Sequence, residues 1–559
     1  MCIRDRPVLL NRDGFFANVV PLSFGSNSFE LVYKPAGGNA YTKTISVKRE
    51  RGRAPLPPTG MTISPDNIQP KEDRGLTTGD IIEFSCHATP GGQMTVDFGG
   101  KVVKLTSMAG LRAQRKAQTL NINQGLAAAY GQVFQRYPAN SPDLYLGLYR
   151  VEAADVFYNA HPRFVLSKDG KTTNITLGTS LSVVKQPRMA HTLKDDTIVR
   201  VAPDLARLTP IPAGVRLLTD GYQGENIRIL YKPGKHVWIK REELEFEPEG
   251  APAPHAVPRT IQVSKDDYGE TVSVPLTQRL PFIVEQNLKP NKLVLRIFGA
   301  HSDTDWVYRA PDGEAAGKII DDIAWKQPED YIYEVEISLK GARQWGYYAD
   351  YKDNTLNLHI KRKPQLSENT ERSLEGLVIC LDPGHGGKES GALGPSGITE
   401  AEVNYAITEK LRKILEGEGA KVYMTRTKDI DVSLNDRTDF ARKTRADVLV
   451  SVHNNALPDG RDPLKEHGTS TYRYHPQSVE LARVIKDHMV QGLGLPDIGA
   501  RYQNLALCRP TAMLAVLVEV AFMVNPDEYS NLINEAWQNK AAKSLANGIV
   551  SYFKETPSK

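Results

Sequence analysis

The apolar runs of this chain change texture at Glu375, and that change constrains the fold more than any other feature. Beyond it the runs are continuous: LVICLD, KVYMTR, DVLVSVH and LAVLVEVAF, with helix-period segments between them. Strands buried on both faces have this pattern, so residues 372–555 are expected to form an α/β domain around a mainly parallel sheet. Before Glu375 apolar and polar residues alternate, as in strands with one buried face. A chain of 559 residues exceeds one hydrophobic core. Its alternating part divides at two linkers, RGRAPLPP (51–58) and EPEGAPAPHAVP (247–258).

The expected architecture is multidomain, with all-β segments preceding the α/β domain. Residues 1–50 carry turn signals at Asp13-Gly14 and Gly37-Gly38 and resemble the last strands of an immunoglobulin-like domain. Residues 59–190 alternate through GDIIEFSCHATPGG, MTVDFGGKVVKLT, YLGLYRVE and KTTNITLGTSLSVV. They read as a further immunoglobulin-like domain with an Ala- and Gln-rich insertion, Arg112 to Tyr137. Residues 193–247 have short strands, Pro and Gly turns and Val237-Trp238-Ile239, and resemble a small barrel of the Src-homology-three type. Residues 259–365 hold about six alternating runs and read as a β-sandwich. Of its aromatics, Trp306, Trp325, Trp345, Tyr347 and Tyr348, most are expected in the core.

Charge is nearly balanced, 70 basic against 66 acidic residues, which does not argue for nucleic acid as a partner. No apolar run approaches the ~18 residues of a membrane span. The four cysteines form no CxxC pair, so neither a cysteine zinc site nor a disulfide scaffold is indicated. The opening MCIRDR has charges where a signal peptide has its apolar core. The chain begins inside a strand pattern and reads as a truncated frame, so the missing leader says little about destination.

Two histidines stand just past continuous runs. His385 follows LVICLD within Pro383-Gly384-His385-Gly386-Gly387, whose glycines allow the tight backbone that aims an imidazole at the carboxyl end of a sheet. A phosphate loop is the rival, but no G-x-G-x-x-G or Walker pattern is present. His453 ends DVLVSVH, before Asn454 and Asn455, where α/β sheets place ligands. Between them, Thr399-Glu400-Ala401-Glu402 has the form of a capping box, which would leave Glu400 free in the first turn. By itself Glu400 would read as an acid favouring the helix dipole. Glu519 follows the apolar run Leu514–Val518 with no basic neighbour. A carboxylate buried there needs a metal, a proton, or an ion pair with a distant arginine such as Arg426 or Arg437. Two imidazoles, one carboxylate ligand and one free carboxylate suit a zinc hydrolase. Asp382 reads as a support for the His385 loop or an acceptor orienting its ring. His467, His475 and His488 read as surface residues.

DPGHGG, GITEAEVN, Thr425-Arg426, SLNDR, ARKTRADVLVSVHNNA and LVEVAFMVNPDE, in this order, resemble the zinc-dependent N-acetylmuramoyl-L-alanine amidases over about residues 375–554. The resemblance implies that His385, Glu400 and His453 bind one zinc ion and that Glu519 is the catalytic acid/base. Asp382 and Asn455 stand beside them as candidate supporting or substrate contacts. It implies a peptidoglycan hydrolase that cleaves the amide between N-acetylmuramic acid and L-alanine, in wall remodelling or daughter-cell separation. It also implies an extracytoplasmic place, periplasm or cell surface. Peptidoglycan is the expected partner, with regulatory or cell-division proteins as further candidates and a monomer as the expected state. Residues 259–365 resemble the β-domain that tethers such amidases to the wall. Alternatives are another zinc hydrolase of the wall, a deacetylase or carboxypeptidase, or a wall-binding scaffold with an idle enzyme domain. Ala521 replaces the family's usual Gly, and Met513-Leu514 its usual Met-Pro; both alter backbone freedom and leave the ligands intact. Residues 457–466 are short and polar, with no sign of the blocking helix that some relatives insert there.

Overall fold

The computed structural model describes the chain except residues 4–5, 36, 51, 117–131, 133–135, 138–140, 233–234, 310–317, 368–371 and 555–559. Most of the Ala- and Gln-rich insertion therefore lies outside the described residues. Two compact units emerge: Arg51–His255, and Met1–Glu50 together with Ala256–Lys559.

Within Arg51–His255, strands Ile81–His87, Gln93–Phe98, Lys101–Ser107, Leu144–Arg150, Arg163–Lys168 and Lys171–Thr176 pair antiparallel in one sheet. Their alternation sends Phe84, Met94, Val96, Phe164 and Leu166 into a shared core. A second sheet contains Arg188–Thr192, Arg216–Gln223, Asn226–Lys232, Lys235–Lys240 and Leu244–Phe246. It also takes in Arg74–Leu76 and Leu181–Val183, so its hydrogen bonds cross the 190–193 boundary.

In the other unit, Gly25–Tyr33 and Tyr41–Arg49 form an antiparallel ladder. The segment from Ala256 to Lys361 builds two sheets around Ile261, Val272, Leu295, Val335 and Leu358. Tyr347 is buried, Trp325 packs against this core, and Tyr348 stacks on His359 at 4.3 Å. Trp306 differs: on the edge strand Trp306–Arg309 it is 62% exposed.

The C-terminal domain contains β1 (Val378–Pro383), α1 (Glu400–Gly417), β2 (Lys421–Met424), α2 (Leu434–Lys443), β3 (Val448–Asn455) and β4 (Thr469–Arg473). It continues with α3 (Val479–Leu493), β5 (Asp497–Tyr502), β6 (Leu514–Phe522), α4 (Pro526–Leu532) and α5 (Glu535–Lys554). Sheet order is β2-β1-β3-β6-β4-β5, and only the β6–β4 pair is antiparallel. Helices α1, α3 and α5 bury Ile407, Leu411, Ile485 and Leu545 against Val450, Val516 and Val518. On the opposite face Ala441 of α2 and Leu507 cover Cys380, Leu449 and Ala515. With both faces dry, the central strands lose the alternation seen upstream. Among the described residues no helix is long and apolar enough to cross a membrane.

The β-sandwich segment is fastened to this domain. Lys361 Nζ lies 2.8 Å from Asp447 Oδ1 and donates to the Ala446 carbonyl at 2.6 Å, so its buried ammonium is compensated. Arg343 grips Glu480 with two bonds of 2.8 Å, and Trp345 stacks on Phe553.

His475 corrects its surface assignment. It is buried, and its Nε2 donates to the Arg509 carbonyl at 2.7 Å. The polar Gln477 and Ser478 of the next turn are buried with it and hydrogen-bond to Met513 O and Ala515 N, so the whole turn is drawn against β6 despite its polar sequence. Burial pushes its pKa down to about 4. The unfolded imidazole therefore binds more protons than the folded one between about pH 6.5 and about pH 4. Its contribution to stability is intact above that window and falls as pH drops through it, by about 3 kcal/mol in all. Thermal unfolding at pH 7 and pH 4.5 should show a smaller acid-induced drop in Tm for His475→Gln than for the wild type.

Candidate metal centre and active site

The carboxyl ends of β1, β3 and β6 lie side by side. His385 follows β1 in the left-handed region, φ +59°, and its carbonyl accepts from Arg437 Nη2 at 2.8 Å. Gly384 beside it must lack a side chain, because a Cβ there would lie 2.3 Å from the His453 ring. Glu400 opens α1. Thr399 Oγ1 accepts from Glu402 N at 3.3 Å, and Glu402 Oε2 accepts from Thr399 N at 2.7 Å, completing the capping box. With Glu402 so engaged, Glu400 turns inward and is buried. His453 lies in β3, level with Glu519 in β6.

His385 Nε2 is 3.3 Å from Glu400 Oε2, and His453 Nδ1 is 3.0 Å from Glu400 Oε1. The two imidazoles meet edge to face at 4.9 Å. Ala392 N, Asn454 N and Asn404 Nδ2 also donate to this carboxylate, at 3.0, 3.2 and 3.3 Å. Burial would raise its pKa, but the two histidines prevail and hold the carboxyl well below the usual range. Burial also opposes charge on His453, yet the bond to Glu400 and the nearby Glu519 carboxylate raise its pKa.

Glu519 has the opposite environment. Burial, opposed by His453 and reinforced by the charge of Glu400, pushes its pKa up to about 7. Its Oε2 is buried and has no hydrogen-bond partner among the described residues. Neither arginine considered as its partner pairs with it. Arg426 donates to the carbonyls of Pro383, Gly384 and Ala401, while Arg437 pairs with Asp382 at 2.7 Å. Asp382, fully buried, also accepts from Thr425 Oγ1 at 2.5 Å and Ser451 Oγ at 2.6 Å, and it supports the His385 loop through Arg437. Asn455 sits at a register shift against β6, where its Oδ1 accepts from Ala456 N at 2.8 Å.

One donor atom from each of His385, Glu400 and His453 lies within 4.8 Å of the others. His385 Nε2 and His453 Nδ1 face different oxygens of Glu400, at 3.3 and 3.0 Å, and ligands about 2.1 Å from one tetrahedral ion stand about 3.4 Å apart, within the 4.8 Å spread of this set. Two imidazoles and an ionised carboxylate therefore fit a small divalent cation.

Sequence inspection missed several supporting residues. Asn404 Nδ2 reaches both Glu400 and the Gly384 carbonyl (3.2 Å), and its Oδ1 accepts from Asn454 Nδ2 at 2.8 Å. Its signal was a polar residue one turn after Glu400, on the buried face of α1. Gly391, φ +68°, leaves no space for a Cβ, which would lie 2.5 Å from Glu400 Oε2 and 2.7 Å from His385 Cδ2. Tyr529 of α4 packs against Gly394, and its hydroxyl meets Ser396 Oγ. An N-terminal turn reaches the same helix: Asn11 Nδ2 donates to the Pro526 carbonyl and Ser530 Oγ (2.8 and 2.7 Å), and Phe15 meets Tyr529 edge-on at 5.0 Å. Asn525 caps α4, and Glu528 binds His467 Nδ1 and Phe522 N, each at 2.7 Å, so His467 is half-buried.

Residues 379–551 match the sequence profile of the family described as N-acetylmuramoyl-L-alanine amidase. A protein named probable cell wall amidase LytH, from Staphylococcus epidermidis, is 30% identical over 249 residues, 44% of this chain and 77% of that protein. N-acetylmuramoyl-L-alanine amidase LytC of Bacillus subtilis is 32% identical over 203 residues, 35% of this chain and 40% of that protein. The solved catalytic domain of CwlV, from Bacillus (Paenibacillus) polymyxa var. colistinus, is 36% identical, with a TM-score of 0.30, and the match covers 32% of this chain and 97% of that domain.

Replacing Gly391 by Ala should displace Glu400 or His385 and weaken divalent-metal binding by about 10- to 100-fold. Competition against a chromogenic chelator measures this, with circular dichroism to verify that the fold persists.

Proposed function

Because the chain belongs to the N-acetylmuramoyl-L-alanine amidase family, we propose that its C-terminal domain is a zinc-dependent peptidoglycan hydrolase that cleaves the amide joining N-acetylmuramic acid to L-alanine. His385, Glu400 and His453 hold the single zinc ion, and Glu519 is the acid/base. When bound, zinc supplies Lewis acidity, polarising a carbonyl oxygen and lowering the pKa of a water molecule toward ~7. The observation that carries the reading is the unpartnered Glu519 Oε2, buried and level with His453. A carboxyl group whose pKa is pushed up to about 7 is suited to exchanging a proton near neutral pH. Glu519 accepts the proton of the attacking water and returns it to the nitrogen of the departing L-alanine. Asn404 and the main-chain amides of Ala392 and Asn454 keep Glu400 aimed.

The cell wall is the place of action, outside the cytoplasm, in remodelling or daughter-cell separation. The β-sandwich segment, fastened by Lys361 and Arg343, presents its exposed Trp306 as one element of wall tethering.

Glu519→Gln should retain zinc while turnover of purified peptidoglycan falls by about 10³-fold. Chelation of the wild type should abolish turnover, and added zinc should restore it. Mass spectrometry of the products should show free stem peptides with their L-alanine amine. Release of acetate or of terminal alanine would replace the amidase reading with a deacetylase or carboxypeptidase.

A further inference from the structure

Three strands carry a level row at the active-site end of the sheet. His453 of β3 pairs with Glu519 of β6, and Glu519 pairs with Ser470 of β4. Residues level on neighbouring strands project to the same face. Thr469 and Thr471, on either side of Ser470, project to the other face and donate to the carbonyls of Val520 and Ala482, each at 2.8 Å. Ser470 is fully buried, and its Oγ has no partner among the described residues. The same holds for Glu519 Oε2, on the neighbouring strand.

A hydroxyl and a carboxylate oxygen withdrawn from water, side by side and both unpartnered, call for one missing group. Cβ atoms of such a cross-strand pair stand ~4.5–5.5 Å apart, a span that one bridging water can close. Packing alone would be served by alanine here. We propose that Ser470 is a positioning residue for Glu519, its hydroxyl holding that carboxylate in its working orientation through one shared water molecule. This rests on Glu519 being the acid/base. His453 lies along one flank of Glu519, so the Ser470 water would occupy the other and restrict rotation of the carboxylate.

The test uses the full zinc-loaded chain with Ser470→Ala and Ser470→Thr. Expected for Ser470→Ala is a fall in kcat of about tenfold, the scale of one lost hydrogen bond to a charged group. KM, zinc affinity by chelator competition and Tm should remain near wild type, and Ser470→Thr should recover most of kcat. A high-resolution crystal structure of the wild type should show a water within hydrogen-bond distance of both oxygens, absent in Ser470→Ala. Wild-type kcat in Ser470→Ala, equal losses in both variants, or no such water would overturn the inference. Retained turnover in Glu519→Gln would instead overturn the assignment of Glu519, so the two failures are distinguishable.

Discussion

Asp382 keeps its charge with no surface in water, at the end of β1 and beside the His385 loop. Burial alone would neutralise it, yet Arg437, Ser451 and Thr425 hold its pKa below the usual carboxylate range. The same guanidinium donates to the carbonyls of Pro383 and His385, and Arg426 takes the carbonyls of Pro383, Gly384 and Ala401. These carbonyls lie at the end of β1, in the His385 loop and in the first turn of α1, so the two guanidiniums tie the three together. Two arginines from different segments thus make a left-handed histidine tenable, and the ion pair under them fixes where the imidazole begins.

Above that foundation two carboxylates diverge. Glu400 meets two imidazoles and two backbone amides and stays ionised. Glu519, one strand away from His453, has a buried oxygen without a hydrogen-bond partner among the described residues and resists ionisation. One sheet edge therefore offers a permanent anion and a titrating acid, a division of labour set by hydrogen bonding rather than residue type.

Much of this edge was legible in the sequence because its causes are local. Continuous apolar runs announce dry strands, the glycines around His385 announce a crowded loop, and Thr399 with Glu402 announces where α1 starts. What stayed hidden depends on distant partners. Arg437 could equally have been assigned to Glu519 until α2 was placed beside Asp382. His475 looked solvated among polar neighbours, and only packing of the following turn shows it buried. Asn404 and Ser470 are ordinary polar residues until strand register and helix phase put them beside the carboxylates. Likewise, Arg74–Leu76 and Leu181–Val183 join a sheet from across a boundary that local texture suggested.

The turn at Asn11 and the helix at Pro526 lie 515 residues apart in sequence, yet they share a hydrogen bond. During synthesis the first of these leaves the ribosome long before the second exists. Tyr529 cannot acquire its Phe15 edge, nor can the loop at Ser396 gain its hydroxyl contact, until the segment that holds Tyr529 has been translated. A nascent chain would thus carry His385, Glu400 and His453 without this brace on the loop at Ser396 until Tyr529 is added.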